Sequence, residues 1–462
     1  MKTEHFINAG KVLLLLVFVL FSCTTSLVYA QELVWVTSVQ GGREPTEIPL
    51  FNKEVERLMG IKVKMIKPPS SEYTTKVAVM LATGEPIDII YMGVSLFQKL
   101  YKQNPELFEP LTGRIMRSEI LSDPEIIPLS EWERIRQPDG EIYGVFNKFE
   151  QGCLPIVRAD WMEKLGFAAP QDFDEYYDLL KAFTDKDPDG NGKDDTYGAA
   201  IGYTLYETTG LFGAYGLMRG FERDAEGNLY APWATEEAIP VYKWLAKLSR
   251  EGILEPNFVT NQSSNFRNLF MTDKAGMTFY WAAWVGLFNQ QVKAANPNSP
   301  FKARGLVPPK GPGGRLLMAG EDGLMIIPKS SKHKDLAFRI LELWHAHAGN
   351  ILSTLGILNY DYKVDVDGKY TLTDIGEAHA MDHGAPQPKS LKWENPFGEL
   401  EGFEAAAEII RMYARPEMVT PYKSDWETIV RSEAGKIILG DISAEDGIRN
   451  MQRRFKEVGI YK

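Results

Sequence analysis

The stretch TDKDPDGNGKDDTYG, residues 184–198, has the side chains of an oxygen-rich metal site. From Asp187 onward, oxygen-bearing groups recur at every second position; the series is Asp187, Asp189, Asn191, the carbonyl of Lys193, and Asp195. Glycines at 190 and 192 let the backbone curl, so these groups can converge on one hard cation such as Ca²⁺. The spacing therefore predicts a calcium site.

The alternative is an exposed acidic turn without an ion, because Asp, Asn and Gly are also ordinary turn residues. The EF-hand loop is a poor match, since its twelfth position, a glutamate in that motif, is Gly198 here. The loop follows a predicted amphipathic helix, whereas a catalytic metal keeps an open position inside a cleft. We therefore expect a structural calcium ion that stabilises a surface turn.

Aromatic and polar side chains near predicted strand ends are candidates for binding a sugar. Sugars present apolar C–H faces and rings of hydroxyl groups, so their sites combine flat aromatic rings with hydrogen-bonding side chains. The strand-like stretch TFYWAAW supplies three of the candidates, and loops supply the others; the set is Tyr280, Trp281, Trp284, Tyr203, Gln40, Ser95, Glu321 and Trp393. An aromatic residue at strand or helix spacing is, taken singly, more often a core residue.

The elements that position these residues begin with an alternation of strands and helices. Strand-like runs at 33–38, 62–67 and 87–93 are separated by amphipathic helical runs, a pattern typical of βαβ units with a largely parallel sheet. Ligands of such sheets bind at the carboxyl ends of the strands. Gln40 and Ser95 follow two of these predicted ends.

The N-terminus predicts export. Ten apolar residues, VLLLLVFVLF, follow Lys11, which is the core of a signal peptide and too short to span a bilayer. Cleavage before Cys23, as in a lipoprotein, and cleavage after Ala30 both remain open. In either case Cys153 is the one cysteine left for the mature chain, which excludes an intrachain disulfide.

The charge balance argues against a nucleic acid partner. The chain of 462 residues has 51 Lys and Arg against 62 Asp and Glu, a net charge of −11, and no basic block. Its length suggests about two or three domains.

The stretch IVRADWMEKLGFAAPQDFDEYYDLLKAFTDKDPDGNGKDDTYG resembles bacterial extracellular solute-binding proteins of family 1, the receptors of carbohydrate ABC importers. It is most similar to the branch with LplA-like lipoproteins and alginate-oligosaccharide binders. Later segments such as VYKWLAKLSREGILEPNF and GLMIIPKSSKHKDLAFRIL follow in the family's order. In relatives the acidic loop holds a structural calcium, but a position that is often Glu there is Thr196 here.

The resemblance implies an α/β protein of two lobes, each a mostly parallel sheet flanked by helices, joined by hinge segments. Residues 1–30 would be the signal peptide, 31–148 with about 300–350 the N-terminal lobe, and 149–299 with about 351–462 the C-terminal lobe. Such a protein closes over its ligand by a hinge motion and then docks on an importer.

The function that follows is capture of an oligosaccharide by a monomeric, periplasmic or lipid-anchored receptor that delivers it to membrane permease subunits. A peptide or polyamine ligand is the alternative within the binding class. A glycosidase or lyase is a further alternative, because 62 acidic residues are enough to supply the carboxylate pair that such an enzyme places across its cleft.

Overall fold

The structure is a computed structural model that describes residues 32–38, 45–69, 72–148, 152–320, 322–379, 390, 392–393, 400–418 and 420–461. By its contacts the chain divides after Glu32, and the elements described below belong to the second unit, Leu33–Lys462. The predicted signal peptide, residues 1–30, lies outside the described residues. In the described part of the chain, no helix is both long enough and apolar enough to cross a membrane.

Fifteen strands lie in the second unit. They are β1 (Leu33–Val36), β2 (Val63–Ile66), β3 (Ile89–Gly93), β4 (Gly144–Lys148), β5 (Cys153–Arg158), β6 (Tyr197–Ala200), β7 (Glu222–Arg223), β8 (Leu229–Tyr230), β9 (Ala275–Trp281), β10 (Ala303–Gly305), β11 (Leu317–Ala319), β12 (Gly323–Ile326), β13 (Tyr362–Val364), β14 (Tyr370–Leu372) and β15 (Ala414–Pro416).

The helices surround two central sheets. They are α1 (Ile48–Met59), α2 (Tyr73–Thr83), α3 (Val94–Gln103), α4 (Thr112–Ile115), α5 (Leu129–Ile135), α6 (Ala159–Lys164), α7 (Phe173–Asp185), α8 (Thr209–Gly213), α9 (Ile239–Arg250), α10 (Ser263–Met271), α11 (Ala283–Ala295), α12 (Lys334–Trp344), α13 (His347–Thr354), α14 (Asp374–His379), α15 (Phe403–Tyr413), α16 (Lys423–Leu439) and α17 (Ala444–Glu457).

The first lobe is built on a five-stranded sheet in the order β2-β1-β3-β12-β4. Its helices bury apolar faces against this sheet, as α1 does with Phe51 and Val55. The helix α1 ends at Gly60, whose φ of 71° is the left-handed conformation that glycine adopts without a Cβ penalty. The two-lobed α/β fold expected from the sequence is confirmed by the separate core of the second lobe.

The second lobe is built on a four-stranded sheet in the order β10-β5-β9-β6. Helices α7, α9, α16 and α17 pack on one side of it around buried side chains that include Tyr242, Leu245 and Phe455. On the other side lies a smaller core with Phe266, Phe270 and α15. The second lobe therefore has a core on each side of its sheet, and both are separate from the core of the first lobe.

The expectation of mostly parallel sheets was wrong. β1 pairs in parallel with β2 and β3, as the βαβ pattern predicts, but β12 is antiparallel to both β3 and β4. In the second sheet only β6 and β9 are parallel among the described pairs, and β5 is antiparallel to β9 and β10. The antiparallel strands lie next to the crossings between lobes, where the chain enters each sheet from the opposite direction.

The lobe boundaries also differ from the expected positions of about 300 and 351. The strand β10 pairs with β5, so the segment near 303–305 belongs to the second sheet. The chain joins the first sheet at β12 and stays with that lobe through α14, where His379 lies 2.6 Å from Asp361 and 3.1 Å from Glu47. The helices α13 and α14 thus pack on the first lobe, and the sequence pattern did not reveal their partners.

Gly152 lies where the chain crosses from the first lobe to the second. It forms an antiparallel bridge with Ala319 at the end of β11. A Cβ at position 152 would lie 2.5 Å from the Met318 carbonyl oxygen, so only glycine fits this close approach. The two crossing segments therefore lie side by side, as hinge segments do.

Candidate functional site

Three cavities lie between the lobes, and we call them together the cleft. One of about 390 Å³ is lined from the first lobe by Tyr73, Tyr91, Ser95 and Lys99 and from the second by Lys423 and Glu427. A second, of about 40 Å³, is lined by Ser95, Arg134 and Asp322 on one side and Glu417 on the other. The third, of about 420 Å³, includes Gln98, Tyr101 and Lys102 opposite Arg223 and Tyr422. A ligand in the cleft would contact both lobes.

The first-lobe wall of the cleft is formed at the carboxyl end of β3. The strand ends at Gly93 and α3 begins at Val94, so Ser95 lies in the first turn of α3 and lines two of the cavities. The backbone N–H of Val94 donates to the carbonyl of Asp322 over 3.0 Å. The structure thus places Ser95 at the strand end that the sequence indicated.

A salt bridge fixes the polar part of this wall. The Arg134 guanidinium lies 2.6 Å from the carboxylate of Asp322 and equally close to Glu131. Both Arg134 and Asp322 also line the smallest cavity. The arginine therefore holds its neighbouring carboxylate in place at the edge of the cleft.

The second-lobe wall is organised by Arg219. Its side chain is 1% exposed, and its terminal nitrogens lie 3.3 Å from Glu417 and 2.8 Å from Glu427. The guanidinium carbon also lies 3.8 Å from the centroid of the Tyr206 ring, a cation–π contact. One buried cation therefore positions two cleft carboxylates and one aromatic ring.

Burial and charge set the protonation behaviour of the carboxyls around this arginine. Burial raises the pKa of Glu417 above its ordinary value, although the charge of Arg219 opposes the shift. Burial also raises the pKa of the neighbouring Glu207 to about 7, against smaller opposing effects that include a hydrogen bond from Thr204. Glu207 is therefore partly protonated near neutral pH.

The expected aromatic residues Tyr280, Trp281 and Trp284 lie where β9 ends and α11 begins. Trp281 lies against Tyr206, with ring centroids 5.5 Å apart, and Tyr280 contacts Trp284 and Phe266. Both tryptophans are partly buried against the smaller core that includes Tyr280, and none of the three is among the described residues that line the cleft. A sugar-binding role for the tryptophan pair stays a prediction.

The remaining sequence candidates are distributed differently. Tyr203 lines a separate cavity of about 240 Å³ on the second lobe, which we call the groove. Trp393 is partly buried, with its backbone N–H donating to Ser390, and is not among the described residues that line these cavities. Gln40 and Glu321 lie outside the described residues.

Several cleft residues were not found from the sequence. They are Tyr73, Tyr91, Arg134, Arg219, Glu417 and Glu427. Arg219 is 198 positions from Glu417 and 208 from Glu427, so no local spacing reveals their contact. A weak signal did exist in ARPEMVTPYKSDWE, where charged residues are bounded by prolines before a predicted helix.

The acidic loop begins directly after α7. Asp172 caps this helix by accepting from the N–H groups of Asp174 and Glu175 at 3.1 and 3.0 Å. At the other end of the helix, the Thr196 hydroxyl donates to the Phe183 carbonyl at 2.8 Å. Thr196 thus closes the turn and is buried.

Within the loop, the predicted ligand residues lie close to one another. The side-chain amide of Asn191 contacts Asp189 at 2.5 Å and Asp195 at 3.2 Å. The Asp187 carboxylate accepts three backbone N–H groups, from residues 190–192. In the described part of the chain, no three or more His, Cys, Asp and Glu side chains form a metal-binding group. Any ion here would need amide and backbone oxygens as well.

The loop and the cleft lie at opposite ends of the second sheet. The loop leads into the start of β6, whereas Tyr203 and Tyr206 follow its end. Asp195 pairs with Lys274 at 2.6 Å, just before β9, and Trp281 ends that strand. Seven residues of strand span roughly 23 Å, so the loop is remote from the Trp281–Tyr206 contact.

The comparisons with solved structures show the same fold. The alginate-binding protein AlgQ2, solved without calcium, matches with a TM-score of 0.66 at 18% identity over 93% of this chain and 95% of that one. An ABC substrate-binding protein from Listeria monocytogenes, in complex with cycloalternan, matches with a TM-score of 0.66 at 15% identity, over 93% of this chain and 99% of that one.

Two curated relatives come from Bacillus subtilis (strain 168). Lipoprotein LipO is 28% identical over 342 residues, 69% of this chain and 65% of that protein. The polygalacturonan/rhamnogalacturonan-binding protein YtcQ is 28% identical over 244 residues, 50% of this chain and 48% of that protein. The matched parts thus span somewhat under two thirds and about half of these relatives' lengths. Residues 44–349 match the family described as bacterial extracellular solute-binding protein, and the chain belongs to that family.

Proposed function

We propose that the protein is the extracytoplasmic binding component of an ABC importer and captures an oligosaccharide between its lobes. The observation that carries the proposal is the cleft, whose cavities are lined from both lobes by tyrosines, hydroxyl groups and charged side chains. A ligand that contacts both lobes stabilises the closed form over the open one, which is how binding drives hinge closure.

The chemistry of the cleft fits a sugar. Tyrosine rings offer flat apolar faces and hydroxyl groups, and Ser95, Lys99 and Glu427 offer donors and acceptors for hydroxyl groups of the ligand. The named ligands of relatives support this assignment, since YtcQ is a polygalacturonan/rhamnogalacturonan-binding protein and AlgQ2 an alginate-binding protein.

Binding without turnover is part of the proposal. A glycosidase needs one carboxyl group that donates a proton and a second that acts as nucleophile or base. Here Glu417 and Glu427 are both engaged by the same buried Arg219, on one wall of the cleft. On the opposite wall, Asp322 is likewise paired with Arg134. This arrangement supports a binding role, because each described cleft carboxylate is already engaged by an arginine.

The proposal extends to the cellular location. The signal peptide predicted at residues 1–30 would export the chain, and a lipid on Cys23 would hold it at the outer face of the cytoplasmic membrane. The permease subunits of the importer would then receive the ligand from the closed, monomeric receptor.

We further propose that the acidic loop holds one structural Ca²⁺. The proximity of Asp189, Asn191 and Asp195 supports this proposal, because their side chains carry the oxygen atoms that Ca²⁺ prefers. The Asn191 side-chain nitrogen faces both carboxylates in this structure, so the amide would have to turn its oxygen towards the ion. Asp187 and the Lys193 carbonyl would complete the set. The bound ion would neutralise the clustered carboxylates and fix the turn between α7 and β6.

A melting-temperature panel tests the main proposal. The purified mature protein is incubated with oligogalacturonides, alginate oligosaccharides, neutral oligosaccharides, a tetrapeptide and spermidine, and the sugars are then examined by mass spectrometry. We expect a rise in melting temperature with an oligosaccharide that is recovered intact, because a ligand bound only by the native state stabilises it. A rise with the peptide or spermidine alone, or cleaved sugar, would contradict the proposal.

A further inference from the structure

The groove on the second lobe is continuous with the cleft through α16. Glu427 lines the cleft, and Arg431, Gly435 and Leu439 line the groove, each one helical turn further along the same face. The twelve residue steps from Glu427 to Leu439 span roughly 18 Å of helix. The groove therefore begins one turn beyond the cleft wall.

A row of aromatic rings runs beside this helical face. Trp281 contacts Tyr206, and the Tyr206 ring lies under Arg219, whose guanidinium also reaches Glu427. Three residues earlier in the same loop, the ring of Tyr203 lies 4.9 Å from the guanidinium of Arg431. Loop and helix thus form two successive aromatic–arginine contacts, one at the cleft and one in the groove.

The surroundings of this path are basic, although the protein carries a net charge of −11. Among the residues that the structure describes, seven lysine and arginine side chains line the cleft and the groove, against three carboxylates. All three of these carboxylates are paired with arginines, Asp322 with Arg134 and the two glutamates with Arg219. The described lining of the cleft and the groove therefore has an excess of positive charge.

Arg431 contributes to this positive charge inside the groove. Its side chain is exposed and contacts the Tyr203 ring, and it has no carboxylate partner among the residues that the structure describes. The neighbouring Lys436 is engaged by Glu433 at 3.0 Å. Arg431 is thus the groove cation available for an anionic group, and guanidinium binds carboxylate by paired hydrogen bonds.

We propose that the ligand is an anionic oligosaccharide, a chain of uronic acid units, which extends from the cleft into the groove, where Arg431 and Tyr203 form a distal subsite. In this subsite the arginine binds a sugar carboxylate and the tyrosine ring lies against the sugar. The inference rests on the proposed function and adds the charge and the minimum length of the ligand.

Titration calorimetry of the mature protein with three probes tests this subsite. The probes are digalacturonate, which is short enough for the cleft alone, octagalacturonate, and octagalacturonate with its carboxylates methyl-esterified. They are titrated into the unmodified protein and into the variants Arg431→Gln, Tyr203→Ala and Arg449→Gln. Arg449 is an exposed arginine of α17 that pairs with Asp446, so its replacement repeats the charge change outside the groove.

We expect octagalacturonate to bind more tightly than digalacturonate and than its methyl ester. Arg431→Gln should weaken octagalacturonate binding about tenfold, because a hydrogen bond to a charged group is lost, while digalacturonate binding changes little. Tyr203→Ala should weaken the binding of both long probes, whereas Arg449→Gln should leave the binding of all three probes unchanged. Equal effects of Arg431→Gln on the short and the long probe, or no effect on either, would overturn the distal subsite.

The controls separate this inference from the proposed function. Tight binding of a neutral oligosaccharide, without binding of octagalacturonate, would overturn the anionic ligand and leave the oligosaccharide receptor standing. If no oligosaccharide binds while circular dichroism shows that the protein is folded, both the anionic ligand and the oligosaccharide receptor are overturned.

Discussion

The guanidinium of Arg219 lies 3.8 Å from the centroid of the Tyr206 ring, fully enclosed by the second lobe. This contact connects the interior of the lobe to the surface of the cleft, because the same arginine holds Glu417 and Glu427. A buried charge of this kind is stable only while its partners remain. The geometry of the cleft wall therefore depends on a single residue.

Arg219→Met should lower the free energy of unfolding by about 3 to 5 kcal/mol, because Glu417 is left buried without a compensating charge. Urea denaturation near neutral pH measures the loss, with Arg449→Met as the exposed control. The loss should shrink at acidic pH, where Glu417 becomes protonated. If Arg219→Met and the control have the same free energy of unfolding, the arginine does not stabilise the wall of the cleft.

Trp281→Ala and Trp284→Ala should differ in kind. Trp281 contacts Tyr206, whose ring lies against Arg219 of the cleft wall, so its loss should weaken oligosaccharide binding by roughly 1 to 3 kcal/mol. Trp284 packs against Tyr280 and Phe288, so its loss should lower the free energy of unfolding by about 3 to 5 kcal/mol. Calorimetry and urea denaturation separate the two effects, and the reverse assignment would place Trp284 at the ligand.

Glu207→Gln should flatten the pH dependence of stability. The pKa of Glu207 is raised from 4.5 to about 7 in the folded protein, so the native state holds this proton more tightly than the unfolded state. Its stabilising contribution is complete below the unfolded pKa and is lost as pH rises to about 7. Above that pH, the free energy of unfolding of the variant should therefore be higher than that of the unmodified protein, by up to a few kcal/mol. Urea denaturation across this pH range measures both free energies of unfolding. If they change with pH in parallel, the prediction for Glu207 is contradicted.

Chelation with EGTA should lower the melting temperature, because a structural ion is bound only by the folded protein. Asp189→Ala should mimic chelation and become insensitive to EGTA, whereas Asp178→Ala, an exposed aspartate of α7, should respond like the unmodified protein. Oligosaccharide affinity should stay nearly unchanged at temperatures where the chelated protein is folded. Loss of that affinity would place the ion in the cleft.

The parts of the fold that follow from local pattern could be predicted from the sequence. The β1-to-β3 segment and the capping of α7 by Asp172 depend on neighbouring residues, and so does the placement of Ser95 at a strand end. The sheet directions beyond β3 could not be predicted, because β12 enters the first sheet from a segment more than 200 residues away.

The cleft wall of the second lobe could not be predicted from the sequence either, because its residues are also far apart along the chain. Arg219 lies in the undistinguished stretch GLMRGF, and its partners Glu417 and Glu427 come from the C-terminal segment. The positions of Trp281 and Trp284 depend on the junction of β9 and α11, where both are partly buried against the smaller core, and sequence spacing does not separate packing from ligand binding for such residues.

Titration of the mature protein with oligosaccharides in a calorimeter tests the central claim most directly, because one trace reports both binding and turnover. We predict a saturable isotherm with one site per chain, in which each heat pulse returns to the baseline because the sugar is bound and left intact. A steady heat flow that persists after each injection would indicate hydrolysis or elimination. That result, or the absence of heat with every oligosaccharide while a peptide or polyamine saturates the protein, would contradict the account.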